Sequence, residues 1–147
     1  MKEGGIMAFK KGFKREKGKK YNNTKIECED GKFDSKKEYQ RWLVLKDAQE
    51  QGIITDLQRQ VKFVLIPAVT EDYVVHLKTK DKIKTRTLQL AITYTADACY
   101  YKNGEYVVED CKISPKVKPE KYVLKAKMMF ALKGIRIKEV YKANDPI

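Results

Sequence analysis

One dipeptide limits the folding of this chain more than any other: Asn103-Gly104. A type I′ turn needs positive φ at both central residues, which makes Asn-Gly the strongest short-range hairpin signal. It separates two β-rich runs, Tyr94 to Tyr100 and Glu105 to Lys112. With Asn103 and Gly104 as a two-residue loop, Lys102 faces Glu105 and Asp97 falls directly opposite Asp110. Opposed residues have Cα atoms ~4.5–5.5 Å apart, and like charges so placed are destabilising. Lys112 lies two residues beyond Asp110, on the same face and ~6.7 Å along the strand. Val107-Val108 on one run and Ile92, Tyr94, Ala96 and Ala98 on the other are interior-strand compositions. An acidic pair in such a setting needs compensation. Two carboxylates with an adjacent Lys suit Mg²⁺ or Mn²⁺, hard cations that take oxygen ligands and retain waters. The same pair with its Lys salt bridge can also be purely structural.

The rest of the chain supplies layers around that hairpin. Ser35 is a good helix N-cap, and Lys36 to Gln51 reads as a helix with Tyr39, Trp42, Leu43 and Leu45 on a broad apolar face, ended by Gly52. Leu57 to Pro67 alternates, with Leu57, Val61, Phe63 and Leu65 on one side and Gln58, Gln60 and Lys62 on the other, as a strand does. Tyr73 to Leu77 and Lys84 to Tyr94 are further strand candidates, with a turn near Lys80-Asp81-Lys82. A second helix is expected from about Pro119 to Lys133, stopped by Gly134, and Ile135 to Val140 closes as a strand. The order gives an α/β (α+β) class, with a central mixed β-sheet flanked by helices.

Charge divides the 147 residues into an arm, at 1–23, and one domain, at 24–147. Residues 1–25 hold nine basic side chains against two acidic, and residues 112–138 hold nine against one, within a total of +12. Two such blocks are the footprint of a polyanion partner. The first block, with four Gly among its residues, reads as a flexible basic arm. No apolar run reaches the ~18–20 residues that span a bilayer; the longest, Val64 to Val69, is broken by Pro67. The expectation is therefore a cytoplasmic protein with no membrane partner. The single His76 excludes any site that needs two histidines, and Cys28, Cys99 and Cys111 are too few and scattered for a zinc ribbon or a disulfide framework.

A carboxylate ending one strand, followed by carboxylate-X-Lys on the next, resembles the PD-(D/E)XK nuclease superfamily. Here it reads Tyr94-Thr95-Ala96-Asp97 and Glu109-Asp110-Cys111-Lys112. Phe33-Asp34-Ser35-Lys36-Lys37-Glu38, Gly52-Ile53-Ile54, Leu57 to Phe63, Val107 to Asp110 and Tyr122 to Lys127 extend the likeness to a small phage-encoded family of that superfamily, over about residues 21–140. Where that family usually has Phe after the first Asp this chain has Ala98, and where it has Gly after the Lys this chain has Ile113. The resemblance implies a restriction-endonuclease-like core and a Mg²⁺- or Mn²⁺-dependent endonuclease related to Holliday-junction resolvases. Asp97 and Asp110 would be metal ligands, and Lys112 would orient the attacking water and stabilise developing charge. Glu38 would be an added acidic ligand, although Ser35-X-X-Glu38 is also a capping box. Glu109, one residue before Asp110, points to the other face by alternation.

The partner expected is DNA, branched or otherwise, in the cytoplasm of the host cell if the chain is phage-encoded. Lys116, Lys118, Lys121, Lys125 and Lys127 flank the acidic pair and, with Lys14 and Arg15 of the arm, are candidate phosphate contacts; Gln60 is a candidate for touching site or DNA. A resolvase cuts two strands, so that reading calls for a homodimer. The alternative is a non-enzymatic, basic nucleic-acid-binding α+β protein whose acidic pair is structural.

Overall fold

The structure is a computed structural model that describes residues 25–147. The arm expected over 1–23, with Lys14 and Arg15, lies outside the described residues. The elements run β1 (Ile26–Cys28), β2 (Gly31–Phe33), α1 (Lys36–Glu50), β3 (Thr55–Ile66), β4 (Val69–His76), β5 (Asp81–Gln89), β6 (Ile92–Lys102), β7 (Glu105–Cys111), α2 (Glu120–Lys133) and β8 (Lys138–Val140). The class is α+β: a four-stranded sheet in the order β3-β6-β7-β8, with two helices and two small two-stranded sheets, β1-β2 and β4-β5. The main sheet is mixed, because β8 runs parallel to β7 while the other neighbours are antiparallel.

The Asn-Gly turn sets the centre of this sheet. Asn103 has φ +50 and Gly104 φ +81, and Lys102 pairs with Glu105 as the loop length demands. The same register runs back through Tyr100↔Val107 to Ala98↔Glu109. Successive strand residues point to opposite faces, so Val107 and Val108 enter different cores. Val108 joins Leu65, Tyr94, Ala96, Cys99, Tyr122 and Met129 on the α2 side. Val107 packs with Leu45, Ala48, Ile54, Ala98 and Tyr100 on the α1 side.

Several local expectations need correction. Leu57 does not share a side with Val61, Phe63 and Leu65: it packs on the α1 core, they pack on the α2 core. The exchange occurs at Gln60, whose φ of +50 breaks the alternation. On α1, Leu43 is exposed, and the position that goes inside with Leu45 and Ala48 is Arg41. The run Lys84 to Tyr94 is not one strand: it divides at Leu90-Ala91, where the chain passes from the β4-β5 ribbon into the main sheet. The ribbon turns at 77–80, slightly before Lys80-Asp81-Lys82. Pro119 caps α2 from outside rather than entering its first turn, and the closing strand keeps only Lys138–Val140. The β1-β2 hairpin was not expected. Arg59 secures it, lying 3.8 Å over the Phe33 ring and donating to the Lys32 carbonyl at 2.7 Å.

Candidate active site

The middle of β6 and the C-terminal end of β7 bring the acidic pair together. Asp97 follows directly on the Ala98↔Glu109 pairing, and its Oδ2 accepts from the Cys111 amide at 2.7 Å. That bond ties it to the neighbouring strand one residue past Asp110. Asp110 is buried; its Oδ1 accepts from the Tyr94 hydroxyl at 3.1 Å. Its Oδ2 is also buried and makes no hydrogen bond of good geometry, its neighbour being the Lys112 ammonium in a direct ion pair. The same ammonium sits 3.8 Å from the centroid of the Tyr122 ring. Lys112 therefore neutralises Asp110, as its two-residue spacing on one face predicts. Tyr122 is a core side chain, with its hydroxyl donating to Glu139 at 3.0 Å.

Burial and mutual repulsion set the electrostatics. The Asp97 carboxyl is pushed up to about 7, first by desolvation and then by the Asp110 carboxylate; the Cys111 amide and Lys112 oppose the shift. Burial also raises Glu38, with Asp34 and Asp110 adding to the effect. The Cys111 thiol rises to about 12 through burial and the nearby carboxylates, so it has no thiolate character at neutral pH.

Glu38 reaches this neighbourhood from α1 and lines one pocket with Gln60, Asp97 and Cys111. Its helix-cap role is also present. Ser35 Oγ accepts from the Glu38 amide at 3.2 Å, while Glu38 takes the Ser35 hydroxyl at 3.2 Å and the Asp34 amide at 3.3 Å. The back-bond thus goes to Asp34 and not to the Ser35 amide. Among the described residues no group of three or more His, Cys, Asp or Glu side chains is gathered closely enough to hold a metal ion. What is present is an oxygen-only donor pair, Asp97 and Asp110, with one buried Oδ2 lacking a hydrogen bond and Glu38 held back by its cap. That chemistry suits a hard divalent cation, provided Lys112 and the cap yield.

Residues 18–144 match the family described as "Protein of unknown function (DUF1064)". The chain belongs to the DUF1064 family. No curated protein and no solved structure matches it.

The other expected residues of this DUF1064 chain are spread more widely. Lys116, Lys121 and Lys127 are exposed and Lys125 is half-buried. Lys118 is engaged by Glu139 at 2.5 Å, so it does not stand free as a phosphate contact. Glu109 faces away from the pair, as alternation predicts. It takes the Arg41 guanidinium bidentately at 2.7 and 2.9 Å and the Tyr100 hydroxyl at 2.6 Å. Arg41 also donates to the carbonyl of Ala143 at 3.0 Å, which pins the C-terminal segment.

Two site neighbours were missed from the sequence. Lys37 donates to the Lys112 carbonyl at 2.9 Å and fixes the end of β7 against α1. Arg41 holds Glu109, the residue beside Asp110. The spacing of Arg41, Leu45 and Ala48, at i, i+4 and i+7, was the available signal for the second.

Proposed function

We propose that this chain is a metal-dependent DNA endonuclease of the PD-(D/E)XK type, acting on branched or recombination DNA of a phage. One observation carries the reading: two carboxylates from adjacent strands meet, Asp97 half-buried and Asp110 buried, with the Lys112 ammonium on Asp110. A fold rarely retains a partly desolvated like-charged pair for stability, since desolvation and repulsion both oppose it.

Asp97 and Asp110 are the carboxylates that would hold Mg²⁺ or Mn²⁺, with Glu38 joining once it leaves its cap. A cation bound there supplies Lewis-acid charge to a phosphate oxygen and its attacking water. The chain's own residues do the rest. Lys112 is the cation placed to orient that water and to stabilise negative charge as the water oxygen bonds phosphorus and the sugar oxygen leaves. The Tyr122 ring and the Lys37 bond to the Lys112 carbonyl limit where that ammonium can go. Lys116, Lys121, Lys125 and Lys127 are the candidate backbone contacts, which position a duplex without reading its bases. A resolvase role adds a homodimer, because two strands are cut.

The competing reading is a binding protein with no activity. The Lys112–Asp110 ion pair favours it, since that pair satisfies the charge without any cation.

Cleavage of labelled four-way junction, flap and linear duplex separates the two. The parent protein is expected to cut with Mg²⁺ or Mn²⁺ and not with EDTA, and Asp110→Ala to bind without cutting. Binding without cutting by the parent under every metal would overturn the nuclease reading.

A further inference from the structure

The β4-β5 ribbon is the part of the fold that the site does not use. Among the described residues its two strands pair with each other and with no other strand. Apart from half-buried Val75, every residue from Val69 to Gln89 is exposed. A two-stranded hairpin alone is marginally stable in water, so this one is suited to acquiring a partner.

Its register sorts the charges onto two different faces. The pairs Glu71↔Arg86, Tyr73↔Lys84 and Val75↔Lys82 share one face. Lys80 continues their phase, because the Leu77 amide donates to the Lys80 carbonyl across the turn. This face therefore carries Lys80, Lys82, Lys84 and Arg86 at every second position of one strand. Glu71 is the acidic residue among those pairs, held by Arg86 at 2.7 Å. The opposite face carries the acids Asp72 and Asp81, satisfied internally by the Thr85 hydroxyl at 2.6 Å and His76 at 2.8 Å, beside the apolar pair Val74↔Ile83.

We infer that the row Lys80, Lys82, Lys84 and Arg86 is a second duplex-DNA contact, running along the phosphate backbone. Its repeat of about 6.6–6.8 Å per two residues is on the scale of successive phosphates along one strand, whose charges recur every ~3.4 Å of helix axis. The ~12 Å major groove admits a two-stranded β-ribbon. Topology also places the ribbon usefully. It enters β6 at Ile92, and carrying the Asn-Gly register on past its last pairing, Ala98↔Glu109, puts Lys112 level with Thr95. The ribbon thus leaves the sheet at the end that holds Asp110 and Lys112, about three residues or ~10 Å beyond them. A duplex lying across the acidic pair extends over the ribbon's base.

This inference takes its partner, DNA, from the proposed function, but it does not need the chain to cut. The test is binding of the full chain to a fluorescent 25–30 base-pair duplex in EDTA over a salt series. Lys80→Ala/Lys82→Ala/Lys84→Ala is expected to weaken binding at least tenfold. It is also expected to reduce the slope of log affinity against log salt by about 2–3, since each lost phosphate contact removes ~0.9. Lys82→Arg/Lys84→Arg is expected to keep the parent slope, and Asp110→Ala to keep it while abolishing cleavage. An unchanged slope in the folded triple variant, checked by circular dichroism, would overturn the inference. So would a reduced slope that accompanies a halved mass in light scattering, which would assign the ribbon to a second copy of the chain. A reduced slope at unchanged mass supports the ribbon whether or not the parent cuts DNA.

Discussion

Gln60 and Asp97 share one step of the β3-β6 ladder, between Arg59↔Ala98 and Val61↔Ala96, and at that step the sheet exchanges its faces. On one side of it Val61, Tyr94 and Ala96 belong to the α2 core; on the other, Leu57, Ala98 and Tyr100 belong to the α1 core. The register is unchanged across the step, so the exchange comes from the left-handed backbone of Gln60 rather than from an inserted residue. It lets Asp97 leave the strand's ordinary alternation, bond the Cys111 amide and line a pocket with Gln60 and Glu38.

That backbone gives a separation of stability from function. A non-glycine residue in the left-handed region costs roughly 1 kcal/mol, which glycine avoids. Gln60→Gly is expected to raise the urea midpoint slightly, by the equivalent of up to about 0.5 kcal/mol, because glycine's own entropy loss of ~0.5–1 kcal/mol offsets part of that relief. If the Gln60 side chain serves the site, cleavage falls despite that gain, and falls equally in Gln60→Ala. Full activity in both variants would reduce Gln60 to a backbone role.

The Asp97 carboxyl predicts an unusual pH dependence. Its pKa stands at about 7 in the folded chain against an ordinary 3.8. Between those values the folded state keeps a proton that the unfolded chain gives up, so stability falls as pH rises through that window and the loss is complete above about 7. Asp97→Asn removes this dependence while leaving an acceptor for the Cys111 amide. It is expected to raise Tm relative to the parent at pH 8 by several degrees, with the difference shrinking toward pH 5. A difference independent of pH would mean that Asp97 titrates normally.

On the opposite face, the Arg41–Glu109 pair is expected to behave as scaffold. Both side chains are almost fully buried, so removing one partner strands a charge, which costs about 3–5 kcal/mol. Arg41→Met should lose stability on that scale in a denaturant titration. Adding Glu109→Gln should recover part of it, because the stranded carboxylate is then gone. Additive losses would show that Arg41 acts mainly through the carbonyls of the C-terminal segment.

These residues mark what the sequence could and could not disclose. The Asp97–Asp110–Lys112 neighbourhood was legible because a two-residue Asn-Gly loop fixes the β6-β7 register as far as Ala98↔Glu109, one step short of the acids; the departure of Asp97 from the alternation was not. The order of helices and strands was legible for a similar reason, since Ser35, Gly52 and Gly134 punctuate it. Arg41 was not, because an arginine on a helix reads as solvated until a buried partner such as Glu109 is in view. The face exchange carried no compositional mark, since Gln60 is not a glycine. The ribbon was blurred because Lys84 to Tyr94 is β-forming throughout, and only the change of sheet partner at Leu90-Ala91 divides it.

Lys112 offers the sharpest test of the site, because its ammonium occupies the oxygen of Asp110 that a cation would need. A competitor for a ligand weakens metal binding, whereas a positive charge aimed at the reacting phosphate speeds the chemistry. The two roles predict opposite signs in one variant. Lys112→Ala should bind Mg²⁺ more tightly than the parent, seen as a larger rise in Tm at a given Mg²⁺ concentration. It should also cleave roughly 10²–10³-fold more slowly, the range for loss of one preorganised charge-stabilising group. Asp110→Ala, measured alongside, should lose both the Mg²⁺-dependent rise and the cleavage. If Mg²⁺ leaves the Tm of parent and Lys112→Ala alike unmoved, the ion pair is the native end state and the acidic pair holds no cation.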